Sequence, residues 1–249
     1  MSHRASGGSP NYSFKPSGKA VGLFAVVFPL FIVLGFWQLQ RADEKTTINA
    51  LRDARSQESP IALRSVVTGD IEDLLFHPVL VEGEYDSAHQ FLLDNQLEGQ
   101  LAGYHVLTPL RLSGADRAVL INRGWLPQGA SRQTLPDIHP LPAGITRVTG
   151  LVDRFHRVGF KLKGADIPTV GWPAVVQVPD ADKIADRLGY PVLPYQVLLD
   201  SAAQDGYSRL WHGVRLDPGK NQGYALQWFL FAALAAFLFV RHGIQSDVG

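Results

Sequence analysis

Two small clusters of aromatic, cationic and amide side chains stand where long uncharged stretches of the chain end. Trp37 and Arg41 are four residues apart and so share one helical face, where a guanidinium meets a phosphate or carboxylate in bidentate geometry. Asn221, Tyr224 and Trp228 follow at intervals of three and four and also share a face; two rings one turn apart can flank a flat apolar molecule. His212, nine residues before Asn221, is the imidazole best placed to join them as a ligand. A plainer reading needs no ligand: Arg41 snorkels to a lipid boundary and the rings form an interfacial belt.

The remaining histidines read as satisfied turn or surface residues. His77 precedes Pro78 and His105 lies in an alternating run, while His3 and His242 fall at the opposite ends of the apolar stretches from the clusters. There is no HExxH motif and no Cys/His cluster for zinc. The chain has no cysteine, which removes disulfides, thiolate nucleophiles, Cys-based copper relays and CxxCH haem attachment. No GxSxG elbow, GxxxxGK loop or GxGxxG turn is present, and Ser208 with His212 lacks the local frame of a triad, so an enzyme is not expected. A formal net charge of zero without a basic block leaves nucleic-acid binding nothing to rest on.

What positions the clusters is a pair of membrane-length segments. Residues 20–40 carry no charge and at about 1.5 Å per residue reach across a hydrocarbon core of about 30 Å; residues 221–240 repeat the pattern between Lys220 and Arg241. The first run exceeds the apolar part of a secretory signal and no small-x-small cleavage site follows it, so a retained anchor is expected. Arg4, Lys15 and Lys19 precede it without an acid, which places both termini in the cytoplasm and residues 41–220 outside. Trp37, Tyr224 and Trp228 then meet at one outer interface. Small residues Ala232 and Ala236, with Gly22, Ala25 and Gly35, are expected to bring the two spans together.

Residues 1–19, rich in Ser, Gly and Pro, read as a flexible cytoplasmic tail, with a second tail at 241–249. Pro29 is expected to bend the first span, and helix should continue from Arg41 to about Gln57, before Pro60. Beyond it, short runs at 79–85, 90–94, 104–112, 118–126, 145–154, 174–178, 196–200 and 214–216 read as strands separated by Gly, Pro and Asp. The 3.6-residue stripe of Asp180, Ala181, Ile184, Ala185 and Leu188, stopped by Gly189, reads as a helix. The expected fold class is therefore a two-span transmembrane helical hairpin flanking a strand-dominated, antiparallel α+β exoplasmic domain, whose sheet must curl or be covered to protect its edges.

Four motifs, in order along nearly the whole chain, carry a family resemblance. These are Leu34-Gly35-Phe36-Trp37-Gln38 with Arg41 and Lys45; Gly103-Tyr104-His105-Val106-Leu107-Thr108-Pro109; Asn122-Arg123-Gly124-Trp125-Leu126-Pro127; and Pro218 with Tyr224-Ala225-Leu226-Gln227-Trp228-Phe229. Together they resemble the Surfeit-locus family of cytochrome c oxidase assembly proteins, in its bacterial form. The resemblance implies a non-enzymatic chaperone of the inner (cytoplasmic) membrane that helps insert haem a into subunit I of the terminal haem-copper oxidase. Its implied partners are subunit I, other assembly factors and membrane lipid, and its implied cofactor is transiently held haem a. The family commonly has a histidine three residues before the tyrosine matching Tyr224, a natural axial ligand for iron; this chain has Asn221, a poor one. The different-class alternative is a membrane-tethered envelope scaffold or signalling module that binds another protein through its exoplasmic domain.

The topology is open to a direct test, because single introduced thiols report without background. Ser131→Cys should react with an impermeant reagent in spheroplasts and Ser6→Cys should be protected; the reverse pattern contradicts the assignment.

Overall fold

A computed structural model of the chain describes residues 11–63, 70–129, 134–155, 162–211 and 216–247. It divides into two compact units, one of residues 1–49 with 216–249 and one of residues 50–215.

The first unit is a pair of helices, α1 (Gly18–Arg55) and α4 (Gly219–Gly243), each long and apolar enough to cross a membrane. Pro29 lies inside α1 on an exposed face, and the helix runs through it and on to Arg55, close to the end expected from the sequence. The residues of α1 covered in the structure include Phe24, Phe28, Phe31, Gly35, Gln38, Ala42, Lys45 and Asn49, and those of α4 include Asn221, Ala225, Trp228, Ala232, Ala235 and Phe239. Both sets alternate four and three residues apart, the repeat of a left-handed supercoiled pair. The helices run antiparallel, since Phe24 stacks on Phe239 at 4.3 Å, Phe31 meets Trp228 and Phe231 at 5.7 Å, and Gln38 bonds Asn221.

The small residues that allow close approach are Gly35, Ala42, Ala225 and Ala232, all buried. Ala232 is as expected, whereas Gly22 faces open space, Ala25 is exposed and Ala236 is half-buried. The expectation paired Ala232 with Ala236 at a spacing of four; the actual seam alternates four and three, which carries it from Ala232 to Ala225 and away from Gly22. At the far end β1 (Asn11–Phe14), inside the stretch read as a tail, pairs antiparallel with β10 (Ile244–Asp247).

The second unit is a mixed sheet. Its strands are β2 (Ile61–Ala62), β3 (Pro78–Tyr85), β4 (Phe91–Glu98), β5 (Leu101–Leu112), β6 (Ala118–Pro127), β7 (Ile145–Asp153), β8 (Ala174–Val176) and β9 (Val192–Leu199), with a short helix α2 (Ile71–Leu74) and a longer one, α3 (Ala181–Leu188). The pairings β3–β7, β7–β9, β9–β6, β6–β5 and β5–β3 close on themselves, so these five strands protect one another's edges. Alternate residues point into the ring: Val79 and Val81, Leu110 and Leu112, Val119 and Ile121, Val148 and Val152, and Tyr195, Val197 and Leu199 make one core. Outside it, Phe91, Leu107, Leu120 and Ala174 form a second core under Ile184 of α3. That explains why β6 is buried on both faces.

The sheet is not purely antiparallel as expected: β2–β3, β4–β8 and β6–β9 are parallel. The long connection from Pro127 to Val192 supplies the crossover that a parallel β6–β9 pair needs. Strand β9 begins four residues earlier than expected because Pro194, which reads as a turn signal, sits exposed at a register shift between β6 and β9, where no ladder bond is lost. The helix at 181–188 is as expected, with Asp180 accepting from the Lys183 backbone N–H and Gly189 in the left-handed conformation. Of the strand expected at 214–216, Val214 and Arg215 lie outside the described residues and Leu216 is not in a strand.

Gly35 tests the seam. A Cβ there would stand 2.5 Å from the ring of Phe229, so Gly35→Leu should push the helices apart and lower the stability of the pair by about 1–3 kcal/mol, while Gly22→Leu should be neutral. Thermal unfolding in detergent checks this, and equal midpoints for the two variants would count against the seam.

Candidate functional site

At the end of the seam nearer Lys45, polar side chains replace apolar ones. The Asn221 amide donates to Gln38 Oε1 at 2.6 Å, and Asn221 Oδ1 accepts from Lys45 Nζ at 2.7 Å. Lys45 Nζ donates also to the Asp217 carbonyl at 3.0 Å, and the Asn49 side chain exchanges two hydrogen bonds with the Leu216 backbone. Gln38, Lys45 and Asn49 lie on the seam at intervals of seven and four, so one face of α1 presents a ladder of donors and acceptors to the start of α4. The result is a clasp across two helices that leaves Asn221 with both ends of its amide engaged.

The residues expected to gather at this mouth are only partly brought together. Trp37 and Tyr224 are 50% and 54% exposed and point away from the seam. Arg41 is exposed and pairs with Glu44 of its own helix at 2.7 Å. Trp228 is half-buried one turn deeper, tilted against Phe31 and edge-on to Phe231. His212 lies outside the described residues. Gln38 as a functional partner was missed by the sequence reading, although a glutamine inside an apolar span is a visible signal, since such groups seek a hydrogen bond across the helix pair.

Among the described residues no axial ligand for haem iron stands at this mouth. Asn221 offers a neutral amide already bonded on both sides, and among the described residues of the helix unit the imidazole is His242, at the other end. Among the described residues no group of three or more His, Cys, Asp or Glu side chains could hold a metal ion.

The sheet unit holds a second polar constellation, on the Asn122-Arg123-Gly124-Trp125 motif of β6. Arg123 is 2% exposed, and without a carboxylate partner among its described contacts it donates to Gln90 Oε1 at 2.9 Å and to the Asp205 carbonyl at 2.8 Å, with its guanidinium over the Tyr207 ring. Burial pulls its pKa below the usual arginine value, opposed by Tyr207, Tyr85 and Asp205. Gly124 has φ +113°, and a Cβ on it would come 2.5 Å from the Ser208 carbonyl. This is the close backbone approach the glycine suggests: Trp125 and Ser208 exchange backbone hydrogen bonds, holding the segment that leads back toward α4. Gln90 Oε1 accepts also from the Thr108 hydroxyl at 2.8 Å, and the sequence reading did not single out Gln90, Thr108 and Arg123 as a network. A charge inside an otherwise apolar strand was the available signal.

His105 belongs to this region as a structural residue, accepting at Nδ1 from the Asn122 amide at 3.2 Å, with Trp211 edge-on at 5.6 Å. Burial lowers its pKa from 6.5 to about 4.

Two membrane-length antiparallel helices joined through a mixed sheet domain define a tethered membrane protein. The profile of the SURF1 family matches residues 25–233, taking in most of both helices and the whole sheet domain, and the chain belongs to that family. A SURF1-like protein of Dictyostelium discoideum is 33% identical over 109 residues, 40% of this chain and 40% of its own. Surfeit locus protein 1 of Xenopus tropicalis is 31% identical over 122 residues, 43% of this chain and 38% of its own. Cytochrome oxidase assembly protein SHY1 of Saccharomyces cerevisiae is 26% identical over 122 residues, 49% of this chain and 31% of its own. The matches thus span about two fifths or less of the length of these curated relatives.

The lowered pKa of His105 gives a pH dependence of fixed sign. Below pH about 6.5 the unfolded chain takes up a proton that the folded chain refuses until about pH 4, so stability present above 6.5 is lost as pH falls through that window, by of order 3 kcal/mol in full. His105→Gln should flatten this part of the stability profile; a slope unchanged in the variant would show that another group carries it.

Proposed function

We propose that this protein is a non-enzymatic assembly factor for the terminal haem-copper (cytochrome c) oxidase, assisting the maturation of subunit I at the stage of haem a insertion. The observation that carries the reading is the family match over residues 25–233, and the printed name of the yeast relative supports its direction. The protein would work from the bacterial inner membrane, with both termini cytoplasmic and the sheet domain on the periplasmic side. The basic residues Lys15, Lys19 and Arg241 at one end of the helix pair support that orientation.

Because the described residues at the Lys45 end of the pair form a closed amide clasp rather than an iron site, the assistance is read as holding a partner rather than ligating iron. Its partners on this reading are subunit I and other oxidase assembly factors. The exposed faces of Trp37, Tyr224 and Arg41 then offer aromatic and cationic contacts to lipid or to a neighbouring helix.

Deletion of the gene tests the proposal. Membranes from deletion cells should show a weaker haem a signal and lower oxidase activity at unchanged transcription of the oxidase subunits, both restored by the wild-type chain. Full activity with unchanged spectra, in a strain without a related protein, would leave the envelope-scaffold alternative.

A further inference from the structure

Between the β1–β10 end of the helix pair and its middle lies an open groove of about 550 Å³. Its walls are apolar: Phe24 and Phe31 of α1 face Phe231, Leu234, Ala235 and Phe239 of α4. It has a sequence cause. The half of the seam nearer Lys45 closes over Gly35, Ala225 and Ala232, whereas here the rings of Phe24 and Phe239 stack across the pair and the small side chain of Ala235 leaves the space beside them unfilled. An apolar cavity of about 150 Å³ already takes up a benzene-sized molecule, so this one has room for a much longer apolar chain.

The chemistry changes at one end only. Ala20 and His242 line the groove there, and each follows a cation in the sequence, Lys19 and Arg241, both exposed. Neither cation has an acid partner among the described residues, and residues 18–40 and 219–243 contain no Asp or Glu at all. The His242 ring donates from Nδ1 to the Leu238 carbonyl at 2.9 Å, which turns its other nitrogen away from that bond. An apolar trough with two exposed cations next in sequence to the residues at its end suits an apolar chain that ends in an anion, because long Lys and Arg side chains can reach past their own helical face.

We propose that this groove is a binding site for one anionic phospholipid, with an acyl chain lying along the phenylalanines and the phosphate-bearing headgroup between Lys19 and Arg241. Apolar contact alone distinguishes the site little from bulk lipid, because hydrocarbon tails are as apolar as the groove. Selectivity therefore rests on the headgroup, where each basic residue near an anionic surface contributes about a fivefold factor. The site is independent of the assembly role and of the polar clasp at the other end of the helices.

The test uses the full chain purified in mild detergent and reconstituted into nanodiscs of phosphatidylcholine containing a minority of phosphatidylglycerol, with retained lipid read by native mass spectrometry after gentle detergent extraction. The wild type should retain about one phosphatidylglycerol, enriched about tenfold or more over its share of the bilayer. The double variant Lys19→Gln/Arg241→Gln should lose the enrichment, and Ala235→Phe should lose the retained lipid. If Ala235→Phe fails to fold, the charge variant alone decides. Absence of retained lipid in the wild type, retention without headgroup preference, an enrichment unchanged in the charge variant, or recovery of a porphyrin or quinone in place of phospholipid would each overturn the proposal.

Discussion

The structure of the membrane unit depends on how an amide can be kept at the end of an apolar helix pair. Asn221 stands at the start of α4, where an unsatisfied amide near hydrocarbon costs free energy, and the seam of α1 answers with Gln38 on one side and Lys45 on the other. Hydrogen bonds across membrane helices average about 0.6 kcal/mol, so the clasp is worth less as glue than as register. It fixes which residues of the two helices face each other. Once Gln38 faces Asn221, the alternation of four and three carries Gly35 under Phe229, Phe31 against Trp228 and Phe24 against Phe239.

The same principle governs the sheet unit at the Arg123 motif. A buried guanidinium with no carboxylate among its described hydrogen bonds is tolerable because those bonds end on backbone carbonyls and on the Gln90 amide, while an aromatic ring covers its face. Its partners come from Gln90, just before β4, and from the segment at 205–207, which the sequence separates widely. The motif therefore ties the returning strap to the strands, a structural duty, and Gly124 permits the approach that makes it possible.

The two long apolar helices, most of the strands and the helix at 181–188 were legible in the sequence, because hydropathy and short-range turn chemistry decide them locally. The parallel pairings and the closure of β3 on β5 were not, since they depend on which distant strands meet. The candidate site shows the same division. The sequence placed Trp37, Arg41, Asn221, Tyr224 and Trp228 near one end of the helix pair but could not say which face of each helix is covered. A helical-wheel argument groups Trp37 with Arg41 correctly, yet that face points outward, and it is the neighbouring Gln38 and Lys45 that meet Asn221.

The central claim, that the seam through Gln38 and Asn221 sets the register of the helix pair, is tested most directly by disulfide trapping in this cysteine-free chain. Paired cysteines replacing Gln38 and Asn221 should cross-link rapidly under mild oxidation in native membranes, whereas cysteines replacing Trp37 and Tyr224 should not. Efficient cross-linking of the second pair and none of the first would contradict the account.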